Sequence, residues 1–291
     1  MNRRAWLAVT ALLALTAACG PAEGPGVDDT VPGDDAVHYV ALGDSYTAAP
    51  GTGEPVGTPR GCGRSDNNYP RLLADRLAPE SFTDVSCGGA TTEHLTAPQR
   101  TPDGTNPPQL DAVTPKTTLV TVGIGGNDVG FVELANRCAS AAEEGLRCSD
   151  AVAGGDGTLN AKVEAVATKV SGVLDAIEAK APDARVVVVG YPTILPEDPT
   201  VCDELLIDPA DLSSLREGLE LLNHILQQQA SAHGAEFADT ATGTEEHHVC
   251  AAEDSRWIEA LESTTGAAPL HPTARGEQAM ADAVLAVLRG R

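Results

Sequence analysis

Arg185-Val186-Val187-Val188-Val189-Gly190 is a run of β-branched residues with no polar alternation. A strand that wets one face alternates apolar and polar residues. A continuous apolar run suits a strand buried on both faces, as in a parallel sheet covered by helices. Val37-His38-Tyr39-Val40-Ala41-Leu42, Phe82–Cys87 and Glu236–Asp239 read as further strands, as does the run from Thr118 to the glycines at 123–126. Between them Ala161–Ala181, Leu212–Ala232 and Thr273–Leu288 carry helical spacing. Strand and helix in alternation predict parallel order with right-handed crossovers, an α/β fold. Residues 37–291 suffice for one such domain with a sizeable core.

Three segments carry chemistry. Gly43-Asp44-Ser45-Tyr46 ends the first strand, so Ser45 falls at the C-terminal rim of the sheet, where α/β proteins bind ligands. A hydroxyl at a helix start lies where backbone N–H groups favour negative charge, although Ser45 could serve there only as a cap. Gly125-Gly126-Asn127-Asp128 ends another strand at the same kind of rim. A side-chain amide there can donate to an oxyanion, a contribution of roughly 3–4 kcal/mol in a serine hydrolase; an Asn-Asp pair also caps helices. Pro269-Leu270-His271-Pro272-Thr273 precedes the final helix, and a His on such a loop can meet a nucleophile far away in sequence.

Taken together, these segments resemble the SGNH/GDSL hydrolase family of serine esterases and lipases. Four blocks match in order: Ser45 at the nucleophile position, Gly89 of Ser86-Cys87-Gly88-Gly89 at the oxyanion glycine, Asn127 at the oxyanion asparagine and His271 at the base. The resemblance implies a three-layer α/β/α flavodoxin-like fold with a central parallel sheet of about five strands. It also implies ester hydrolysis through a Ser45 acyl-enzyme, with the Ser45 and Gly89 N–H groups and the Asn127 amide holding the oxyanion. No cofactor or metal is required.

One position departs from the family pattern. Where an Asp usually stands three residues before the catalytic His, this chain has Ala268. Such an Asp orients the imidazole, and its loss costs orders of magnitude where nothing replaces it. The expectation is a Ser45–His271 dyad oriented by the backbone carbonyl of Ala268. The alternative is a carboxylate brought in by the fold, Glu262 being the nearest upstream. Asp44 is expected to organise its turn.

Asn2-Arg3-Arg4, then the apolar Ala5–Leu15 and Thr16-Ala17-Ala18-Cys19, resembles a bacterial lipoprotein signal. Residues 1–19 are read as that signal, with Cys19 as the lipidation site. Residues 20–36, rich in Pro, Gly and Asp, are read as a disordered tether, and 37–291 as the catalytic domain. The other cysteines form an even set, Cys62, Cys87, Cys138, Cys148, Cys202 and Cys250, which in an exported chain reads as disulfides. Family resemblance favours sequential pairing, Cys62–Cys87, Cys138–Cys148 and Cys202–Cys250. A zinc site from His247, His248 and Cys250 is the rival reading.

A formal charge of −23 disfavours nucleic acid and anionic membrane surfaces as partners. Contact with a membrane is expected only through the lipid anchor, on the outer face, and the assembly is expected to be a monomer. The Gly/Pro/Asn-rich stretches 48–69 and 96–116 read as rim loops shaping a substrate pocket, and Trp257 as core. The function expected is hydrolysis of acyl esters by an exported enzyme. The competing reading is a catalytically silent surface lipoprotein of the same fold that binds an ester-like or glycan ligand, credited by Ala268 alone.

Overall fold

The computed structural model describes residues 36–144, 158–202, 205 and 207–290, without the side chains of 136, 139, 142 and 143. The leader with Cys19, the linker up to residue 35, and Cys148 lie outside the described residues. In chain order the main elements are β1 (His38–Gly43), α1 (Ser45–Ala48), α2 (Tyr69–Leu77), β2 (Ser81–Asp84), β3 (Gln99–Thr101), β4 (Gly104–Asn106) and β5 (Leu119–Gly123). There follow α3 (Gly126–Val129), α4 (Phe131–Glu143), α5 (Leu159–Lys180), β6 (Arg185–Val189), α6 (Pro209–Ala232), β7 (Glu236–Ala238) and α7 (Ala274–Leu288).

Strands β2, β1, β5, β6 and β7 lie side by side in that order, every pair parallel. This is the flavodoxin-like order, with its topological switch between β1 and β5. Side chains alternate across each strand. Val40, Leu42, Val120, Val122 and Val188 pack on one face with Val163, Val166, Val170 and Val173 of α5 and Leu212, Leu222 and Leu226 of α6. Tyr39, Ala41, Leu119, Val187 and Val189 pack on the other with Tyr69 and Leu73 of α2 and Met280, Val284 and Leu288 of α7. The result is a three-layer α/β/α sandwich. Its helices start where their caps dictate: Thr158 accepts from Ala161 N, Asp208 from Ala210 N with Pro209 at the first helical position, and Thr273 from Gly276 N.

The second strand stops at Asp84 rather than Cys87, because the Asp84 carboxylate takes the Ser86 N–H and hydroxyl and turns the chain. Val85 N and Cys87 N nevertheless still donate to Ala41 O and Gly43 O, which keeps Cys87 beside the end of β1. Helices α2 and α4 were not visible in the sequence pattern, and the stretch 96–116 holds the antiparallel hairpin β3–β4.

Two glycines are set by geometry. A Cβ on Gly43 would stand 2.1 Å from Thr47 Oγ1 and 2.7 Å from Gly123 O, so nothing larger fits where β1 turns into α1. Gly89 has φ +73, the left-handed region that a side chain disfavours.

Candidate active site

The register aligns Gly43 with Gly123, so β1 and β5 end together and deliver Ser45 and Asn127 to the same rim. Asp44, not Ser45, caps α1: its side chain accepts from Tyr46 N at 2.9 Å. Ser45 is the first helical residue, whose N–H has no partner within the helix. Gln109 braces this turn by accepting from Gly43 N and donating to Gly43 O.

Across the rim, His271 Nε2 lies 2.7 Å from Ser45 Oγ, although 226 residues separate them. Both are nearly buried, at 8% and 9% exposure. The loop bearing His271 is pinned by backbone bonds: Leu270 N donates to Glu259 O, Glu259 N to His271 O, and Thr273 N to Trp257 O. Tyr46 Oη also donates to Leu270 O at 2.6 Å, and its ring lies 4.8 Å from the imidazole.

The group that orients the imidazole is one residue along from the one expected. His271 Nδ1 lies 2.7 Å from Pro269 O, not against Ala268 O. The reason is a tight turn over 268–271 in which Ala268 O already accepts from His271 N and Leu270 takes φ +63. Pro at the second place and a positive φ at the third are the marks of a type II turn. Its central carbonyl is then free to face the ring. With Nδ1–H donating to a carbonyl, Nε2 carries the lone pair and accepts the Ser45 proton. Burial holds the imidazole below its ordinary pKa, partly opposed by the bond to Pro269 O, so it is a neutral base near neutral pH. Glu262 is exposed and takes no part in this contact.

Gly88 and Gly89 approach from the β2 side, held by the Cys62–Cys87 disulfide and by Gly88 N donating to Cys62 O at 2.8 Å. A Cβ on Gly88 would stand 4.0 Å from Ser45 Cβ, which puts this turn against the serine. Asn127 Nδ2 donates one proton to Ala90 O at 3.0 Å, which fixes the amide and leaves its second proton for another acceptor. Asp128 ties the same turns together by accepting from Thr92 N and Thr92 Oγ1.

Tyr191, which the sequence pattern does not single out, donates to Asp44 Oδ2 at 2.6 Å. Burial pushes the Asp44 carboxyl up to about 7, against the lowering effect of the Tyr191 and Tyr46 hydrogen bonds. The signal was its position: it follows Gly190 at the end of β6, on the same rim as the other two turns.

An apolar pocket is lined in part by Tyr46 and Leu270, the chain neighbours of Ser45 and His271. Its walls come from α4 (Phe131, Val132, Ala135), from α6 (Leu212, Leu215, Leu219), and from Ile194, Leu195, Leu205 and Ile207. The stretches 48–69 and 96–116 supply none of these residues and brace the rim, Ser65 N donating to Ala48 O and Gln99 Nε2 to Gly88 O.

A second disulfide joins Cys202 to Cys250, so Cys250 offers no thiolate to a metal with His247 and His248. His247 instead stacks on Trp257 at 3.6 Å, and Trp257 is half-buried rather than core. Among the described residues no group of three or more His, Cys, Asp or Glu side chains could hold a metal. No helix among them is long and apolar enough to cross a membrane.

Comparison with known proteins places this geometry. The profile of the GDSL-like lipase/acylhydrolase family matches residues 41–279. Lipase 2 of Streptomyces coelicolor is 36% identical over 259 residues, spanning 86% of this chain and 85% of its own. An esterase of Streptomyces scabiei is 32% identical, over 87% and 82% of the two chains. In structure, phospholipase A1 of Streptomyces albidoflavus NA297 superposes with a TM-score of 0.71 at 30% identity, covering 88% of this chain and 99% of that one. The extracellular lipase of Streptomyces rimosus does so with the same score at 29% identity. A chain matched over most of its length by that profile and by such relatives belongs to the GDSL-like lipase/acylhydrolase family and is a carboxylic ester hydrolase of the lipase/esterase type.

Proposed function

We propose that the protein hydrolyses acyl esters through a covalent Ser45 intermediate, with medium to long acyl chains as its substrate class. The single observation that carries this is the 2.7 Å contact between Ser45 Oγ and His271 Nε2, whose chain neighbours Tyr46 and Leu270 line an apolar pocket. His271 removes the serine proton as Oγ attacks the ester carbonyl. The oxyanion is held by the N–H groups of Ser45 and Gly89 and by Asn127 Nδ2. The alcohol leaves with the proton from His271. Water, deprotonated by the same imidazole, then displaces the acid and restores Ser45. Pro269 O keeps Nδ1 protonated throughout, the task an Asp performs in a triad. A silent binding protein has no use for a serine held on a neutral, oriented base, and that reading is set aside.

The apolar lining of the pocket that Tyr46 and Leu270 help to form suits an acyl chain. Each methylene buried there contributes about 0.8 kcal/mol, up to about fourfold in kcat/KM. The octanoate ester of p-nitrophenol should therefore exceed the acetate by at least about tenfold in kcat/KM. Replacing Ala135 by Phe, which fills the α4 wall, should cut that ratio by about tenfold. An unchanged ratio would remove the cavity from the acyl site.

The same proposal takes residues 1–19 as an export signal, 20–36 as a tether and 37–291 as a monomeric catalytic domain outside the cell. Two disulfides support export, since such bonds persist in oxidising compartments. Anchoring through Cys19 should show as radiolabelled palmitate entering the expressed protein and lost in Cys19→Ala; no label in the wild type would exclude the anchor.

A further inference from the structure

Tyr191 connects the two turns on which acyl transfer is proposed to depend. Its hydroxyl donates to Asp44 Oδ2 at 2.6 Å and accepts from Gly126 N at 2.8 Å. Asp44 caps the turn bearing Ser45, and Gly126 opens the turn bearing Asn127. One phenol oxygen therefore bridges the ends of β1 and β5 from the end of β6, across the topological switch. The phenol is itself held rigidly. Its backbone N–H donates to Asn223 Oδ1 and its carbonyl accepts from Asn223 Nδ2, both at 2.8 Å, and its ring packs edge-on against Tyr46 at 5.1 Å. It is 3% exposed, so water does not compete for these bonds.

Asp44 N also donates to Gly123 O at 3.1 Å, which aligns the strand ends. That bond lies at the strand ends, and the Tyr191 hydroxyl adds a direct link beyond them, between the two turns. We propose that Tyr191 is a positioning residue for ester hydrolysis, its hydroxyl fixing the Ser45 turn against the Asn127 turn so that attack and oxyanion donation meet at one carbon. The inference rests on the roles given above to Ser45 and Asn127. A misplacement of about 1 Å between such groups costs on the order of 100-fold in rate.

The test measures kcat and KM for p-nitrophenyl butyrate in Tyr191→Phe, which keeps the ring and its contact with Tyr46. The expected result is a kcat lower by about 10- to 100-fold with KM within about threefold of wild type. In an Asn127→Ala background the same change should lower kcat by less than about threefold, because the group being positioned is already gone. An unchanged kcat, a loss carried by KM, or a full multiplicative loss on top of Asn127→Ala would each overturn the inference. Should Tyr191→Phe fail to fold, Asp44→Ala takes its place. It removes the group that Tyr191 Oη holds on the Ser45 turn, and the same kcat loss, again blunted in the Asn127→Ala background, is expected. An active Ser45→Ala would defeat the underlying reading, whereas an inactive Ser45→Ala beside a fully active Tyr191→Phe would defeat this inference alone.

Discussion

Ser45→Ala should lower kcat for p-nitrophenyl acetate by at least about 10⁴-fold, His271→Ala by a similar factor, and the double variant by no more than either single one. The reasoning is geometric. A serine hydroxyl is a weak nucleophile until a base takes its proton, and His271 Nε2 is the base in contact with it at 2.7 Å. Removing either partner leaves the other without a function, so the losses do not multiply. Both variants are expected to remain folded. Ser45 loses one hydroxyl from a turn already capped by Asp44, and the His271 loop keeps its backbone bonds to Trp257 and Glu259. Near-ultraviolet circular dichroism and steady-state kinetics on the same samples check both points. Independent, multiplying losses would show that serine and imidazole do not work as a unit.

The second large effect is expected of Asn127→Ala, a fall of about 10²–10³ in kcat with little change in KM. In the proposed mechanism the amide stabilises charge that exists only in the tetrahedral intermediate, so substrate binding should hardly sense it. Asn127→Asp makes a sharper comparison, since it keeps the size and changes the chemistry. An ionised carboxylate would face the oxyanion and would also point an acceptor at Ala90 O, where the amide now donates. It should be at least as damaging as Ala at pH 8. A variant in which Asp retains wild-type kcat would take Asn127 out of the oxyanion site.

The sheet was legible because strands buried on both faces must be continuously apolar, as Arg185–Val189 is. The Ser45 and Asn127 turns could be picked out as candidates because chemistry at a strand end demands particular residue types after a glycine. The orienting carbonyl was placed one residue early. Which peptide oxygen faces the imidazole depends on the turn at Leu270, and a buried leucine at φ +63 leaves no mark in the sequence. Tyr191 was missed because an aromatic after a strand reads as core, and only the fold brings its hydroxyl to Asp44 and Gly126. The lining of the apolar pocket was hidden for a similar reason. Phe131, Val132 and Ala135 acquire a common wall only once α4 exists, and that helix follows an Asn-Asp turn that reads as loop.

The most direct measurement is mass spectrometry of the protein after inactivation with diethyl p-nitrophenyl phosphate, in which an activated Oγ displaces p-nitrophenolate from phosphorus. The account predicts complete loss of activity with one diethylphosphoryl group on Ser45, formed at least about 100-fold more slowly in His271→Ala. Phosphorylation of any other residue, or an equal rate without the imidazole, would contradict it.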